Sequence, residues 1–217
     1  MKLAIFDLDN TLLDGDSDQL WGEFIAEKLN VDIDAYKQKC RDFYQDYLDG
    51  NLNVEEFLHF SLKPLAQNRM DQLMRWRREF VNSAIVPIIL PKGIELINEH
   101  RNSGRVIVII TATNSFVTRP IADKLHVTHL LATEPEIING KYSGRYVGTP
   151  TFKEGKITAL EKWAAKNSVT MEDAYFYSDS HNDIPLLEKV DNPVAVDPDD
   201  QLQKHAAEKG WQIISLR

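Results

Sequence analysis

Two aspartates near the N-terminus, Asp7 and Asp9, are the first side chains in the sequence whose type and spacing could do chemistry. They follow the apolar run KLAIF, residues 2–6, which predicts a buried strand. In an extended chain alternate side chains share a face, so the two carboxylates would project to one side, roughly 7 Å apart. Buried like charges need a cationic partner, and a hard divalent metal such as Mg²⁺ takes oxygen ligands. The pattern indicates a metal site, although DLDNT is also typical of a turn or a helix N-cap.

Oxygen ligands and hydrogen-bond donors also follow a second predicted strand, VIVII at residues 106–110. Thr111 supplies a hydroxyl, and Ala112, Thr113 and Asn114 supply backbone N–H groups at a predicted helix start. Such a helix start is suited to holding phosphate oxygens. The segment therefore predicts a phosphate-binding site.

A third strand end brings two more acids and, before it in the chain, a lysine. Asp179 and Asp183 lie in SDSHND, which follows the apolar run AYFY at residues 174–177. Lys156 lies on a helix predicted over residues 153–167, where it could face the site or solvent. Because parallel strands end at the same sheet edge, we expect the three groups of residues to converge there. The Ser, His and Asp of SDSHND are too close in sequence to favour a hydrolase triad.

The elements that must position these residues alternate along most of the chain. Strands are predicted at residues 2–6, 105–110, 174–177 and 193–196, and helices at residues 92–102, 115–126, 153–167, 181–190 and 199–210. This order predicts an α/β fold with a Rossmann-like parallel sheet core. Turn signals at residues 139–140 and 143–144 predict a small β-hairpin within residues 133–148.

The stretch from Ser17 to Pro87 breaks the alternation, because its apolar residues keep helical spacing throughout. We expect an inserted all-helical cap at residues 15–87, with the core formed by residues 1–14 and 88–217. The insertion is rich in aromatic residues, most of which we expect to pack helices against one another.

Composition narrows the classes of function. The chain has 217 residues, a net charge of −8 and 43% hydrophobic residues. The negative charge argues against nucleic-acid binding, and the longest apolar run is far too short for a membrane span. The N-terminus shows no secretory signal pattern, so we expect a cytoplasmic protein without nucleic-acid or membrane partners. The single cysteine, Cys40, is expected to be an unreactive thiol. Nothing in the sequence indicates the oligomeric state.

Taken together, these segments resemble the motifs of the haloacid dehalogenase-like superfamily of phosphohydrolases, and within it the branch that includes phosphoserine phosphatases. The four motifs are similar to DLDNT at residues 7–11, Thr111, Lys156 in KEGKITAL, and Asp179 with Asp183 in SDSHND. They occur in the expected order and nearly span the chain. The fourth motif departs from the pattern, since Ser178 stands where that family usually has glycine. A helical insertion directly after the first motif is similar to the cap of that branch.

The resemblance implies a Mg²⁺-dependent phosphatase acting on a small-molecule phosphate ester. The implied roles are a nucleophile at Asp7, a general acid and base at Asp9, phosphate binding by Thr111, Ala112 and Lys156, metal binding by Asp7, Asp179 and the Asp9 carbonyl, and support from Asn182 and Asp183. The same residues leave open a phosphotransferase that uses the same aspartyl-phosphate, or a metal-binding regulatory module without turnover.

Two residues of the predicted cap could recognise the substrate. Asp16 lies nine residues after Asp7, where the resemblance implies an acid that receives a substrate ammonium group; histidinol phosphate and phosphoserine would both supply one. Asp16 could equally cap the first helix of the insertion. Arg41 could recognise a carboxylate, or be a solvated helix residue.

Overall fold

The computed structural model describes residues 2–29 and 31–217 and contains a mixed α/β fold built on one sheet. The strands are β1 (Leu3–Phe6), β2 (Val106–Asn114), β3 (His129–Ile138), β4 (Lys141–Val147), β5 (Tyr175–Ser178), β6 (Asn192–Val196) and β7 (Gln212–Ile214). Their order is β4-β3-β2-β1-β5-β6-β7, and every neighbouring pair is parallel except β3 and β4. This arrangement confirms the predicted fold class.

Helices cover the sheet and fill the segment between β1 and β2. They are α1 (Ser17–Ala26), α2 (Ile33–Leu48), α3 (Val54–Gln67), α4 (Met70–Phe80), α5 (Pro91–Asn102), α6 (Ser115–Lys124), α7 (Glu154–Asn167), α8 (Ile184–Leu187) and α9 (Asp200–Lys209). A π-helix at Val81–Ile85 and a 3₁₀ turn at Val86–Ile88 connect α4 to α5. Within the described residues no helix is both long and apolar enough to cross a membrane.

Strand β1 lies at the centre of the sheet and is buried on both faces. Ala4 and Phe6 belong to a cluster on one face, and Leu3 and Ile5 belong to a cluster on the other. All four side chains are fully buried. Because both faces of β1 are covered, its sequence is a continuous apolar run, and packing on both faces holds its carboxyl end in position.

Helices α1 to α4, which we call the helical insertion, leave and rejoin the sheet at one place. The Asp14 N–H donates to the Ile88 carbonyl at 2.7 Å, and the Leu90 N–H donates to the Leu12 carbonyl at 3.0 Å. The Trp21 ring of α1 packs edge-on against Phe116 of α6, with the ring centres 5.6 Å apart. The helical insertion thus has both connections side by side and shares apolar contacts with the sheet-covering helices.

The boundaries of several elements differ from the sequence predictions. Strand β2 continues to Asn114 instead of ending before Thr111, and the helix predicted over residues 181–190 is reduced to the 3₁₀ turn His181–Asp183 and the four residues of α8. The first half of β3 and all of β7 were not predicted. The hairpin turn lies at residues 139–140, whereas the turn signal at residues 143–144 falls inside β4.

Candidate active site

The Asp7 carboxylate lies directly after β1, where a buried lysine holds it. Lys156, near the start of α7, donates from Nζ to Asp7 Oδ1 at 2.8 Å and to Asp183 Oδ2 at 2.7 Å. Asp183 Oδ2 also accepts the Ser178 hydroxyl at 2.7 Å. The lysine and both of its carboxylate partners are at most 5% exposed. The structure therefore brings together three of the predicted site residues from distant parts of the chain.

This buried group carries more negative than positive charge. Burial raises the pKa of Asp7 to about 7, although the Lys156 ammonium opposes the shift. Burial by itself would lower the pKa of Lys156, but the charges of Asp183 and Asp7 outweigh this effect and raise the lysine pKa. The lysine therefore stays charged, and one ammonium is shared between two carboxylates.

The loop after β1 has a local structure that positions its acids. The Asp7 N–H donates to the Tyr177 carbonyl of β5 at 2.9 Å, which extends the sheet pairing by one residue. The Leu8 carbonyl then accepts the N–H groups of Leu12 and Leu13 at 2.9 and 3.1 Å. These three leucines are fully buried and anchor the loop. Sheet pairing therefore reaches Asp7, whereas Asp9 lies in the turn that follows, so the extended strand considered for both acids does not continue to Asp9.

The Asp9 carboxylate is oriented by donors from two other elements. Asp9 Oδ1 accepts the backbone N–H of Ser17 at 2.7 Å, and Oδ2 accepts the Thr113 hydroxyl at 2.9 Å and the Thr111 hydroxyl at 3.4 Å. Burial raises the pKa of Asp9, while the hydrogen bonds from Ser17 and Thr113 oppose the shift. A carboxyl group that is half-buried, fixed in orientation and raised in pKa is suited to hold a proton for general acid catalysis.

Asp179 follows β5 and is linked to the loop after β1. Thr11 donates its hydroxyl to Asp179 Oδ1 at 3.0 Å, and the Asp179 N–H donates back to the Thr11 hydroxyl oxygen at 3.1 Å. Burial, followed by the charges of Asp7 and Asp183, raises the pKa of Asp179 well above its usual value. The raised pKa shows that Asp179 lies within the electrostatic reach of the other two acids.

The donor set fits a divalent cation. Asp7, Asp9, Asp179 and Asp183 place four carboxylates near one lysine, Lys156, so a second cation would relieve an uncompensated negative charge. No three His, Cys, Asp or Glu side chains among the described residues form a metal-binding group by themselves. That finding is compatible with two carboxylates and one backbone carbonyl as the protein ligands, because Mg²⁺ is usually bound by one or two carboxylates together with substrate phosphate and water.

Buried threonines support the end of β2. The Thr151 hydroxyl donates to the Thr111 carbonyl at 2.6 Å, and the Thr133 hydroxyl donates to the Ala112 carbonyl at 3.4 Å. The pairing register between β2 and β3 shifts between Ile110 and Asn114, so the two hydroxyls supply donors where the strand pairing is irregular. The helix predicted over residues 115–126 begins at Ser115 as expected, with Asn114 as its N-cap, while Thr111 and Ala112 belong to β2.

A cavity with an empty volume of about 800 Å³, its mouth included, lies between the acids and the helical insertion. Lys156, Thr111 and the acids Asp7 and Asp9 line its floor. Its other lining residues are Asp16, Asp18, Gln19, Trp21, Gly22, Tyr36, Cys40, Phe43, Tyr44, Tyr47, Leu52, Phe57, Phe60, Ser61, Ala112 and Thr113. Its size and mostly apolar walls suit a small metabolite.

The two predicted recognition residues of the helical insertion have different positions. Asp16 is the N-cap of α1, where Oδ1 accepts the N–H groups of Asp18 and Gln19 at 2.9 and 2.8 Å, and it also lines the cavity. Asp16 can therefore cap α1 and also face a substrate in the cavity, so the two predicted roles are compatible with each other. Arg41 is exposed, donates to Gln38 at 2.7 Å, and does not line the cavity. This position gives no support for contact between Arg41 and a substrate.

The carboxyl end of α2 contacts the loops around the acids. Tyr47 donates its hydroxyl to Ser180 at 3.1 Å, and its carbonyl accepts the Asn182 side-chain amide at 3.0 Å. Lys153 donates from Nζ to the Gly50 carbonyl at 2.7 Å. Asn182, predicted to support the site, therefore joins the fourth motif to the helical insertion.

The family model for haloacid dehalogenase-like hydrolases matches residues 4–188, which include every predicted motif. The chain belongs to this family. A histidinol-phosphatase from Neisseria meningitidis serogroup C is 42% identical over 220 residues, covering 100% of this chain and 99% of that protein. A phosphoserine phosphatase of Mycobacterium tuberculosis is 30% identical over 220 residues, covering 99% of this chain and 70% of that protein. These relationships confirm the predicted family and show that the chain is a phosphatase.

A solved structure with the same fold supports the architecture of the phosphatase. The crystal structure of a protein of unknown function from Bordetella pertussis Tohama I superimposes with a TM-score of 0.93 at 40% identity, covering 100% of this chain and 99% of that chain. The agreement extends over the full chain, so it includes the helical insertion as well as the sheet.

Several contributors to the phosphatase site were not predicted as site residues. The Thr113 side chain could have been found, because in strand β2 it shares a face with Thr111 two residues earlier. The aromatic residues of the helical insertion were expected to pack helices, and Trp21, Phe43 and Phe60 do pack against other rings. These three residues also line the cavity. Helical spacing alone does not show whether an apolar residue faces a cavity or the hydrophobic core.

Proposed function

We propose that the protein is a Mg²⁺-dependent phosphomonoesterase that hydrolyses an amino-bearing phosphate ester through an aspartyl-phosphate on Asp7. The observation that carries the proposal is the buried lysine between Asp7 and Asp183, beside a second oriented acid and at the floor of a cavity. The histidinol-phosphatase relative, which matches this chain from end to end, favours histidinol phosphate as the substrate.

In the proposed first step Asp7 attacks phosphorus as the bond to the leaving oxygen breaks. Lys156 holds Asp7 through Oδ1, and no described residue hydrogen-bonds to Oδ2, so we assign Oδ2 as the nucleophile. Asp9 donates its proton to the leaving oxygen, and the alcohol product departs. The raised pKa of Asp9 supports this role, because a protonated acid is needed at the start.

In the second step water attacks phosphorus, Asp9 takes a proton from that water, and the bond to Asp7 breaks to release orthophosphate. Thr111, the Ala112 backbone and Lys156 are proposed to hold the phosphoryl oxygens. Phosphatases of this family generally use Mg²⁺, and we propose Asp7, Asp179 and the Asp9 carbonyl as its protein ligands. When bound, Mg²⁺ would neutralise negative charge on the phosphoryl group.

We also propose that residues 15–87 form a cap domain over a core of residues 1–14 and 88–217. The paired connections at residues 12–14 and 88–90 support these boundaries. The contacts of Tyr47 with Ser180 and Asn182 support a cap that closes directly over the acids. Closure would exclude bulk water from the phosphoryl group during transfer.

The test measures orthophosphate release from p-nitrophenyl phosphate and histidinol phosphate, with Mg²⁺ and with EDTA. We expect Asp7→Asn to abolish release and EDTA to stop it in the unsubstituted protein. Asp14→Asn is the matched control, because Asp14 lies in the same loop but is exposed and paired with Arg217. Activity that survives Asp7→Asn would refute the assignment. Transfer to an added alcohol in preference to water would favour the phosphotransferase alternative, and a complete lack of turnover would favour the regulatory module.

A further inference from the structure

The charges around the cavity constrain which leaving group it can accept. Two carboxylates of the helical insertion, Asp16 and Asp18, line its upper part. Among the described lining residues Lys156 is the only cation, and its ammonium already contacts Asp7 and Asp183. A carboxylate on the substrate would therefore meet two acids and no available counter-charge.

Asp18 differs from Asp16 in having no side-chain partner among the residues that the structure describes. Asp16 Oδ1 is occupied by the N–H groups at the start of α1. The Asp18 carboxylate forms no hydrogen bond or ion pair with any described residue, and burial, with the charge of Asp9, raises its pKa to about 7. Asp18 is half-buried at the cavity wall, so a ligand that excludes water from it must supply the missing partner.

The position of Asp18 relative to α2 shows which part of the cavity it serves. Asp18, Tyr36 and Cys40 line the same cavity, and burial together with the charge of Asp18 raises the pKa values of the Tyr36 hydroxyl and the Cys40 thiol. Gly22, one turn after Asp18, lets α2 approach: a Cβ there would lie 2.7 Å from Cys40 Sγ. Asp18 is thus on the wall formed by α1 and α2.

The remaining walls suit a planar group that carries N–H donors or a positive charge. Tyr36, Phe43, Phe57 and Phe60 contribute aromatic rings, whose faces attract cations. The Ser61 hydroxyl, which also lines the cavity, is buried and has no hydrogen-bond partner in the part of the chain that the structure describes. It is a second polar atom that a ligand could satisfy.

We propose that Asp18 is a specificity-determining residue that binds a second cationic or N–H-bearing group of the leaving alcohol, so that the cavity selects amino-alcohol phosphates without a carboxylate. The inference rests on the proposed function and deepens it. Histidinol phosphate meets the requirement, since it has an ammonium group and an imidazole and no carboxylate. Phosphoserine does not, because its carboxylate would face Asp16 and Asp18.

The test compares kcat/KM for histidinol phosphate, phosphoserine and p-nitrophenyl phosphate in the unsubstituted protein, in Asp18→Asn and in Asp46→Asn. Asp46→Asn is the matched control, because it makes the same change of charge on α2 at an exposed position outside the cavity. We expect Asp18→Asn to lower the ratio of kcat/KM for histidinol phosphate to that for p-nitrophenyl phosphate by about tenfold to a hundredfold, mainly through KM. Asp46→Asn should leave this ratio within about twofold.

A binding measurement tests the same role without turnover. Calorimetry should show L-histidinol binding at least about tenfold more tightly than L-histidine, which has a carboxylate in place of the hydroxymethyl group, and Asp18→Asn should weaken L-histidinol binding. An unchanged substrate ratio in a folded Asp18→Asn variant, or phosphoserine turnover equal to that of histidinol phosphate, would overturn this inference and leave the phosphatase assignment intact. Failure of the unsubstituted protein to hydrolyse any of the three esters would overturn both.

Discussion

Replacing Lys156 with methionine should destabilise the metal-free protein strongly and in a pH-dependent way. Methionine keeps most of the length of the side chain but removes the ammonium that donates to Asp7 and Asp183, at 2.8 and 2.7 Å. Both carboxylates are nearly inaccessible to solvent. Breaking a buried ion pair by removing one partner costs about 3–5 kcal/mol, because the remaining charge is left without compensation. Near pH 8.5 we expect a loss of that size in the free energy of unfolding.

The sign of the pH dependence follows from the raised pKa values. An acid whose pKa is raised by folding binds more protons in the folded state, so its cost is absent below the unfolded pKa and grows as pH rises towards the folded value. Asp7 already has a pKa of about 7 with Lys156 present, and removing the lysine raises it further. At pH 5.5, about 1.6 units above the unfolded pKa, the cost for each protonated carboxyl is limited to about 2 kcal/mol. The destabilisation should therefore be smaller at pH 5.5 than at pH 8.5.

Urea-induced unfolding in the presence of EDTA measures both effects. Lys162→Met is the control, because Lys162 is exposed on the same helix and its replacement should cost less than about 0.5 kcal/mol. Adding Asp183→Asn to the Lys156→Met variant should recover part of the lost stability near pH 8.5, since one uncompensated carboxylate is removed. A Lys156→Met variant as stable as the unsubstituted protein near pH 8.5, or one without pH dependence, would refute this account of the buried charges.

Three further substitutions test the packing around the site. Gly155→Ala should lower kcat and destabilise the fold by more than about 1 kcal/mol, because its Cβ would lie 1.9 Å from the Pro150 carbonyl oxygen and must displace the start of α7. Phosphatase activity and thermal unfolding equal to those of the unsubstituted protein would contradict this. Gly22→Ala should destabilise the otherwise unsubstituted protein, because its Cβ would clash with Cys40 Sγ. In a Cys40→Ala background the clash is absent and alanine favours the helix, so the same substitution should stabilise the protein by up to about 1 kcal/mol. A double-mutant cycle without coupling would exclude that contact. Thr151→Val should cost about 1–3 kcal/mol in urea unfolding, because a buried carbonyl of β2 loses its donor, and a cost near zero would show that this hydrogen bond is dispensable.

The convergence of the candidate site acids could be predicted because the ends of parallel strands lie at one edge of the sheet. Each of β1, β2 and β5 was visible as a short apolar run, and parallel pairing places their carboxyl ends at one sheet edge. That reasoning needs no knowledge of the exact backbone. It places Asp7 and Asp179 at the same edge, where the charge of Asp7 contributes to the raised pKa of Asp179, even though the chain turns at Asp9 instead of continuing as an extended strand.

The cavity walls could not be predicted in the same way. Phe43 and Phe60 have the helical spacing of core residues, and whether such a residue faces another helix or an empty space depends on how far the helices stand apart. In this protein the distance is set in part by Gly22, whose missing side chain admits Cys40. The missed strand β7 is only three residues long, which is too short for a pattern of alternation to show.

The arrangement of acids is difficult to explain by stability alone. Burial raises the pKa of Asp7 and of Asp179, so the metal-free fold holds both carboxylates against an electrostatic cost. A fold selected only for stability would replace such groups with neutral residues of similar shape, since isolated buried charges lower the free energy of unfolding. Their position at the floor of a cavity, beside a lysine and an oriented second acid, instead fits a site that is completed by a cation and a phosphoryl group. Asp7 and Asp179, where local stability rules are violated, are thus positions that the strand-end pattern identified as chemical.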